Sequence, residues 1–425
     1  MRKFFFRFFF ALVLIVLLFA AFSWTIEYYP RRNSHPPLKL AQGALVIRHA
    51  RIYTSPTAPP LSDSTILIRD GLIAAVGPDV PIPSGAKEIP CDRCIVTAGF
   101  WNAHVHFTES KWQWAEWKSA ATLNAQLADM FLRRGFTTVV DLGSNPAETF
   151  AIRRRIELGE LRGPYVYTAG TALYPPHGVP FYLKETLPRW MVVIMPQPAT
   201  PAEAQSIVRR NLASGADVTK LFTGSWVERG TVLPMPLPIV RAAVETTHNN
   251  GRIVFAHPSN LAGTQAAIQG GVDVLAHVPD DTRGITPALF ATMVRQNMGM
   301  IPTLKMFTTT VTSDPHYMDP MYAEVRQFKA DGGTLIFGTD VGYMTDYTTD
   351  GEFAALAKCG LNWQDVLAML TTNPATRLNQ SSRKGTIAPG KLADLTILSA
   401  DPATDLTNFS KVQTVVRSGA VIWQK

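Results

Sequence analysis

Between Ile95 and Gly338, over about 250 residues, short β-branched runs alternate with amphipathic stretches, and that alternation restricts the chain to a parallel α/β fold. The strand-like runs are the one leading into His104, then 137–141, 165–168, 217–221, 252–256, 272–276, 299–302 and 334–338. Stretches such as 202–213, 237–249 and 321–330 repeat apolar residues at helical spacing between them. Eight strands with intervening helices predict a (β/α)8 TIM barrel, whose chemistry sits at the strand C-termini.

The flanks read differently. Residues 43–48 and 64–69 are strand-like, Asp70-Gly71 is a hairpin signal, and 72–77 returns. After the barrel, 393–398, 412–416 and 421–423 are strand-like again, with Ser418-Gly419 as a turn. No helical pattern separates either set, so residues 43–95 and 385–425 are expected to form two halves of a small β-sandwich. The barrel at 96–384 is then inserted between them. A chain of 425 residues with 46% apolar content can bury such a core, which excludes disorder. The net charge of +7 includes Arg2, Lys3, Arg7, Arg31 and Arg32 near the N-terminus. No basic stripe with interleaved aromatics remains in the body, which excludes nucleic acid as a partner.

Arg2, Lys3 and Arg7 precede an apolar run at residues 8–22. That run is shorter than the roughly 20 residues of a spanning helix, and Ala21-Phe22-Ser23 fits a cleavage site. Residues 1–24 are therefore expected to be a signal peptide, with a membrane anchor at 4–24 as the alternative. Either exports the rest to the periplasm or the extracellular space. Residues 25–42, with Pro30, Pro36 and Pro37, read as a connector. Cys91 and Cys94 form a lone C-x-x-C, with Cys359 far off in sequence. The preferred reading is two incidental residues in a turn, with a small disulfide loop as the alternative.

Candidate ligands fall at the strand ends. Side chains two apart on a strand share a face, so His104 and His106 can address one metal ion. Lys220 lies near the end of the fourth strand, His257 after the fifth, His277 after the sixth and Asp340 after the eighth. A single histidine or lysine is weak evidence; six at one rim are not.

With those motifs the chain resembles the amidohydrolase superfamily, in the branch of imidazolonepropionase-like proteins and metal-dependent dipeptidases. The resemblance rests on His104-x-His106, Gly215-Ala216-Asp217-Val218-Thr219-Lys220, Ala256-His257, Ala276-His277 and Gly338-Thr339-Asp340. Asn373-Pro374-Ala375 and the stretch from Gly385 to Leu395 extend it. It implies a site for two divalent, zinc-like ions, with Lys220 N-carboxylated as a bridging ligand, because an ammonium group has no lone pair. By resemblance His104, His106 and Asp340 bind one ion, and His257 and His277 the other. Imidazolonepropionase itself lacks such a lysine, which argues against that activity here. The implied reaction is attack of a metal-bridging hydroxide on an amide-type C–N bond, with Asp340 carrying the proton to the leaving nitrogen. His177, in Tyr174-Pro175-Pro176-His177-Gly178, is expected to touch the substrate carbonyl, with a solvent-facing loop histidine as the alternative.

A small molecule is thus the expected partner, most simply a dipeptide or an N-acyl amino acid. A cyclic amide, lactone or organophosphate is the rival substrate, and a non-catalytic envelope binding protein a third reading. A homo-oligomer stays open. Trp112, Trp114, Trp117 and the proline-rich stretch 175–201 follow strand ends and are candidates to shape the pocket. No single arginine after the metal motifs stands out as an anchor for a substrate carboxylate. His35 and His248 read as structural or solvent-exposed.

Overall fold

The computed structural model describes Phe9 and residues 12–18, 38–310, 314 and 316–425. Of the expected leader only Phe9 and residues 12–18 are described, as exposed helix; the rest of it, most of the connector and His35 lie outside the described residues. Among the described residues no helix is long and apolar enough to cross a membrane.

Strands β1 (Ala44–Tyr53), β2 (Leu61–Arg69), β3 (Leu72–Gly77), β4 (Lys87–Ile89) and β5 (Ile95–Ala98) come first. Next are β6 (Phe100–Val105), β7 (Phe136–Asp141), β8 (Tyr165–Thr168) and β9 (Thr219–Phe222), then the hairpin β10 (Gly224–Glu228) and β11 (Thr231–Pro234). The series continues with β12 (Val254–His257), β13 (Val274–Leu275), β14 (Gly299–Met300) and β15 (Thr334–Leu335). Finally come β16 (Leu395–Leu398), β17 (Val412–Arg417) and β18 (Ala420–Gln424).

The two chain ends share one sheet of order β18-β17-β16-β5-β1-β2-β3, with β4 beside β1. Where two packed sheets were expected, the strands hydrogen-bond as one, because β5 runs parallel to β1 and antiparallel to β16. Ile47, Ile66, Ile73, Val96, Leu395 and Ile397 belong to its apolar core. Ile95 and Val96 thus pair with this sheet rather than leading directly into His104. The chain crosses to the next sheet at Gly99, where a Cβ would lie 2.2 Å from Thr137 Oγ1. Gly99→Ala is expected to cost about 1–3 kcal/mol of stability through that overlap. Denaturant unfolding checks this, and an unchanged midpoint would mean that Thr137 yields freely.

All the strands from β6 to β15 except the hairpin pair in parallel, in the orders β6-β7-β8 and β9-β12-β13-β14-β15. Backbone bonds link the two groups at both edges. Asp217 N donates to Thr168 O at 2.7 Å and Leu173 N to Lys220 O at 2.9 Å, while Ala103 N donates to Phe337 O at 2.8 Å. One apolar cluster takes a side chain from each strand or its flank: Ala103, Val140, Ala169, Val218, Phe255, Val274, Ile301 and Ile336. Helices cover this layer where the sequence periodicity places them, at Pro201–Ala213, Leu237–His248 and Asp319–Ala330. The first begins where Thr200 accepts from Glu203 N and proline fills the first turn.

Two local readings change. Cys91 and Cys94 are joined in a disulfide, not incidental, because the turn between β4 and β5 brings their Cα atoms to 5.2 Å. The proline-rich excursion contains two short helices, Phe181–Thr186 and Arg189–Ile194.

Candidate active site

β6 is covered on both faces, so all its side chains are buried, and His104 is fully so. Neither His104 ring nitrogen has a hydrogen-bond partner. Asn102, on the same face, fixes the neighbouring backbone: its Oδ1 accepts from Thr339 N at 3.2 Å and its Nδ2 donates to Thr339 Oγ1 at 2.7 Å. That stitch sets the chain after β15 against β6. Gly338 allows the approach, since a Cβ there would lie 2.8 Å from His104 Cβ. Asp340, at φ +58°, then returns its N–H to His104 O at 2.9 Å.

Asp340 Oδ1 lies 2.9 Å from His106 Nε2 and 3.3 Å from His104 Nε2, and Oδ2 lies 4.0 Å from His277 Nε2. Rings link the rest: His104 to His277 at 4.5 Å, His277 to His257 at 4.5 Å, and His257 stacked on Phe222 at 4.7 Å. Lys220, buried on β9, places Nζ 5.3 Å from the Phe222 ring centre. The structure therefore brings His104, His106, Lys220, His257, His277 and Asp340 together. Its tightest donor group is His104, His277 and Asp340, with one ligand atom of each within 4.8 Å of the others. That trio cuts across the division between two ions that the resemblance implies.

Neighbouring groups fix how these rings are protonated. His106 Nδ1 donates to Gly143 O at 2.8 Å, since a carbonyl can only accept, and this leaves Nε2 as the nitrogen that faces Asp340. Thr303 Oγ1 spends its proton on Pro302 O at 2.7 Å and so accepts from His277 Nδ1 at 2.6 Å, again freeing Nε2. Thr303 does this at φ +50°, a strained conformation for a β-branched residue. Thr303→Ala is expected to lower metal affinity or kcat/KM about 10- to 100-fold, measured by metal retention on dialysis and by turnover. Equal retention would show that His277 holds its orientation alone.

Burial holds His104, His257 and His277 well below the usual imidazole pKa, with Lys220 and the adjacent rings adding to it. They are therefore neutral, the form that binds metals. Burial also depresses His106, but the Asp340 hydrogen bond and charge outweigh it and raise the net value. Burial pushes the Lys220 ammonium down to about 7, against a smaller opposing pull from Asp340. Lys220 Nζ has no hydrogen bond or ion pair among the described residues; it lies over the Phe222 ring. Buried neutral imidazoles, a carboxylate and unbonded His104 nitrogens fit a divalent ion better than a closed apolar core.

Other residues fall outside this group. His177 is exposed, in a turn at φ +59°. His248 is the last residue of its helix and pairs with Asp273 at 2.8 Å. Trp112 is core, packed on Phe107, whereas Trp114 and Trp117 are exposed. The sequence reading missed Thr303 and Asp141. Asp141 ends β7, the position that singled out the candidate ligands. It accepts from Ser144, Thr149 and Thr168 hydroxyls and lies 3.9 Å from His106 Nδ1.

The model of the "Amidohydrolase family" matches residues 95–422. Ochratoxinase of Aspergillus niger is 24% identical over 428 residues, covering 89% of this chain and 87% of its own. Imidazolonepropionase of Solibacter usitatus is 24% identical over 392 residues, covering 82% of this chain and 87% of its own. A solved Xaa-Pro dipeptidase with methionine bound in its active site superposes with a TM-score of 0.75 at 22% identity, covering 90% of this chain and 100% of its own.

Proposed function

The chain belongs to the amidohydrolase family, is accordingly a hydrolase acting on C–N bonds, and from that premise we propose that it is metal-dependent and cleaves a dipeptide or an N-acyl amino acid. The observation that carries this is the convergence of buried His104, His277, Lys220 and Asp340 with part-buried His106 and His257, neither His104 ring nitrogen having a hydrogen bond. The eight parallel strands are taken as one closed (β/α)8 barrel spanning 96–384, inserted between the two parts of the terminal sheet. The backbone bonds at both edges and the shared apolar cluster support closure.

His104, His106, His257, His277 and Asp340 would hold two divalent ions, with Lys220 as the bridge once carboxylated. Lys220 suits that reaction. Its neutral amine attacks CO2, forming the N–C bond and losing one proton to give an anionic carbamate, and burial favours the neutral amine. The ions, when bound, supply Lewis-acid polarisation and raise the acidity of water. Asp340 accepts the proton of the water that attacks the amide carbonyl and passes it to the leaving nitrogen as the C–N bond breaks. Gly143 O and Thr303 Oγ1 hold His106 and His277 so that their Nε2 atoms face this centre. His177 would contact the substrate from its exposed turn.

Export is part of the proposal, and the Cys91–Cys94 disulfide supports it, since such bonds persist in oxidising compartments. Profiling purified protein on dipeptides, N-acyl amino acids, lactones and phosphotriesters tests the reading. Turnover of lactones or phosphotriesters with none of any amide would overturn it.

A further inference from the structure

Asp280 lies three residues beyond His277, and its loop is tied to the one after His257 by Asp280 N donating to Ser259 O at 3.0 Å. Its carboxylate accepts from Trp226 Nε1, at 3.0 Å to Oδ2 and 3.3 Å to Oδ1. Among the described residues no lysine, arginine or histidine pairs with it. Its adjacent residue does have a cation, since Arg283 closes on Asp281 at 2.7 Å. A part-buried carboxylate whose partners are an indole and its own backbone N–H is an incomplete arrangement, because a desolvated charge calls for a counter-charge.

The surroundings are aromatic. Trp226 stands on β10, whose neighbour Ser225 anchors the loop before the helix Phe181–Thr186 by donating to Gly178 O at 2.6 Å. Tyr182, on that helix, packs edge-on against Tyr343 at 5.3 Å, and Tyr343 N donates to Asp340 O at 3.2 Å. On the other side Tyr174 packs on Phe222, which stacks on the candidate ligand His257. Burial raises the Tyr182 hydroxyl well above its ordinary value, and the charges of both Asp340 and Asp280 add to it. Tyr182 therefore lies within electrostatic reach of the reacting centre and of Asp280 together. Burial likewise pushes Asp280 up to about 7, and a bound cation would reverse that.

We propose that Asp280, with Trp226 as its side-chain hydrogen-bond partner, is a specificity site for a cationic substituent of the substrate. A carboxylate without a counter-cation, set near aromatic side chains, is the chemistry that recognises ammonium groups. For an amide hydrolase this selects substrates with a free amine, such as a dipeptide with an unblocked N-terminus, over N-acyl amino acids. That substrate assignment rests on the hydrolase reading; the preference of the site for a cation does not.

Binding of benzylammonium and of benzyl alcohol is measured by calorimetry at pH 8 on the full chain. Wild type is expected to bind the cation about ten-fold more tightly or better, and Asp280→Asn to bring the two within about two-fold. Equal affinities in wild type, whether or not the variant folds, overturn the proposal, as does a preference that Asp280→Asn retains. In parallel, kcat/KM is compared for an aminoacyl anilide and its N-acetyl form. The ratio is expected to favour the free amine and to collapse in Asp280→Asn, and a ratio unchanged by the substitution overturns the substrate assignment. Failure to cleave any amide, with the cation preference intact, refutes the hydrolase reading alone.

Discussion

Replacing Asp340 by Asn is expected to lower kcat on the best amide substrate by about 10²- to 10⁴-fold, the usual range for losing a positioned proton carrier. The substitution suits the question because asparagine is nearly isosteric and tolerates the φ of +58° that residue 340 adopts. The N–H bond to His104 O is a backbone contact and survives. What changes is the charge and one acceptor, beside two Nε2 atoms at 2.9 and 3.3 Å. Metal content measured on the same preparation separates lost proton transfer from lost ligation. A kcat within ten-fold of wild type, at equal metal content, removes Asp340 from the proton path.

The six candidate ligands were legible because each combines a chemical type with a place on a regular element. The β6 repeat aligns His104 with the site, and Lys220, His257, His277 and Asp340 fall on or just beyond strand ends that periodicity locates within a few residues. Thr303 and Asp280 carry no such mark. Their roles come from contacts with residues far off in sequence, Thr303 with His277 and Asp280 with Trp226. Asp141 sits at a strand end, but its bonds are to hydroxyls and a backbone amide, and a pattern of ligand types passes over it. The crossing at Gly99 was hidden for another reason. Ile95 to Val105 is a nearly unbroken strand-like stretch, and only packing against Thr137 shows that one glycine divides two sheets. The pocket walls follow the same logic: exposure of Trp114, Trp117 and His177 is set by tertiary packing, which local sequence does not encode.

The Lys220→Ala variant is the second large effect. Without the bridge, metal content is expected to fall from about two ions per chain to one or fewer, and kcat/KM by about 10³-fold, the worth of several kcal/mol of charge stabilisation. The metal-free chain gives an independent reading of the same side chain. The unfolded lysine titrates near 10.5 and the folded one near 7, so between those values the unfolded state holds more protons. Stability must therefore rise with pH across that window, by up to about 1.4 kcal/mol per pH unit, with the burial penalty fully present below 7 and gone above 10.5. Denaturant titrations in chelated, CO2-free buffer check this, and Lys220→Ala should flatten the slope. Added bicarbonate should restore two-ion loading to wild type and do nothing for the variant. One ion in both proteins, with no response to bicarbonate, would leave a mononuclear hydrolase in which Lys220 serves only as a buried cation.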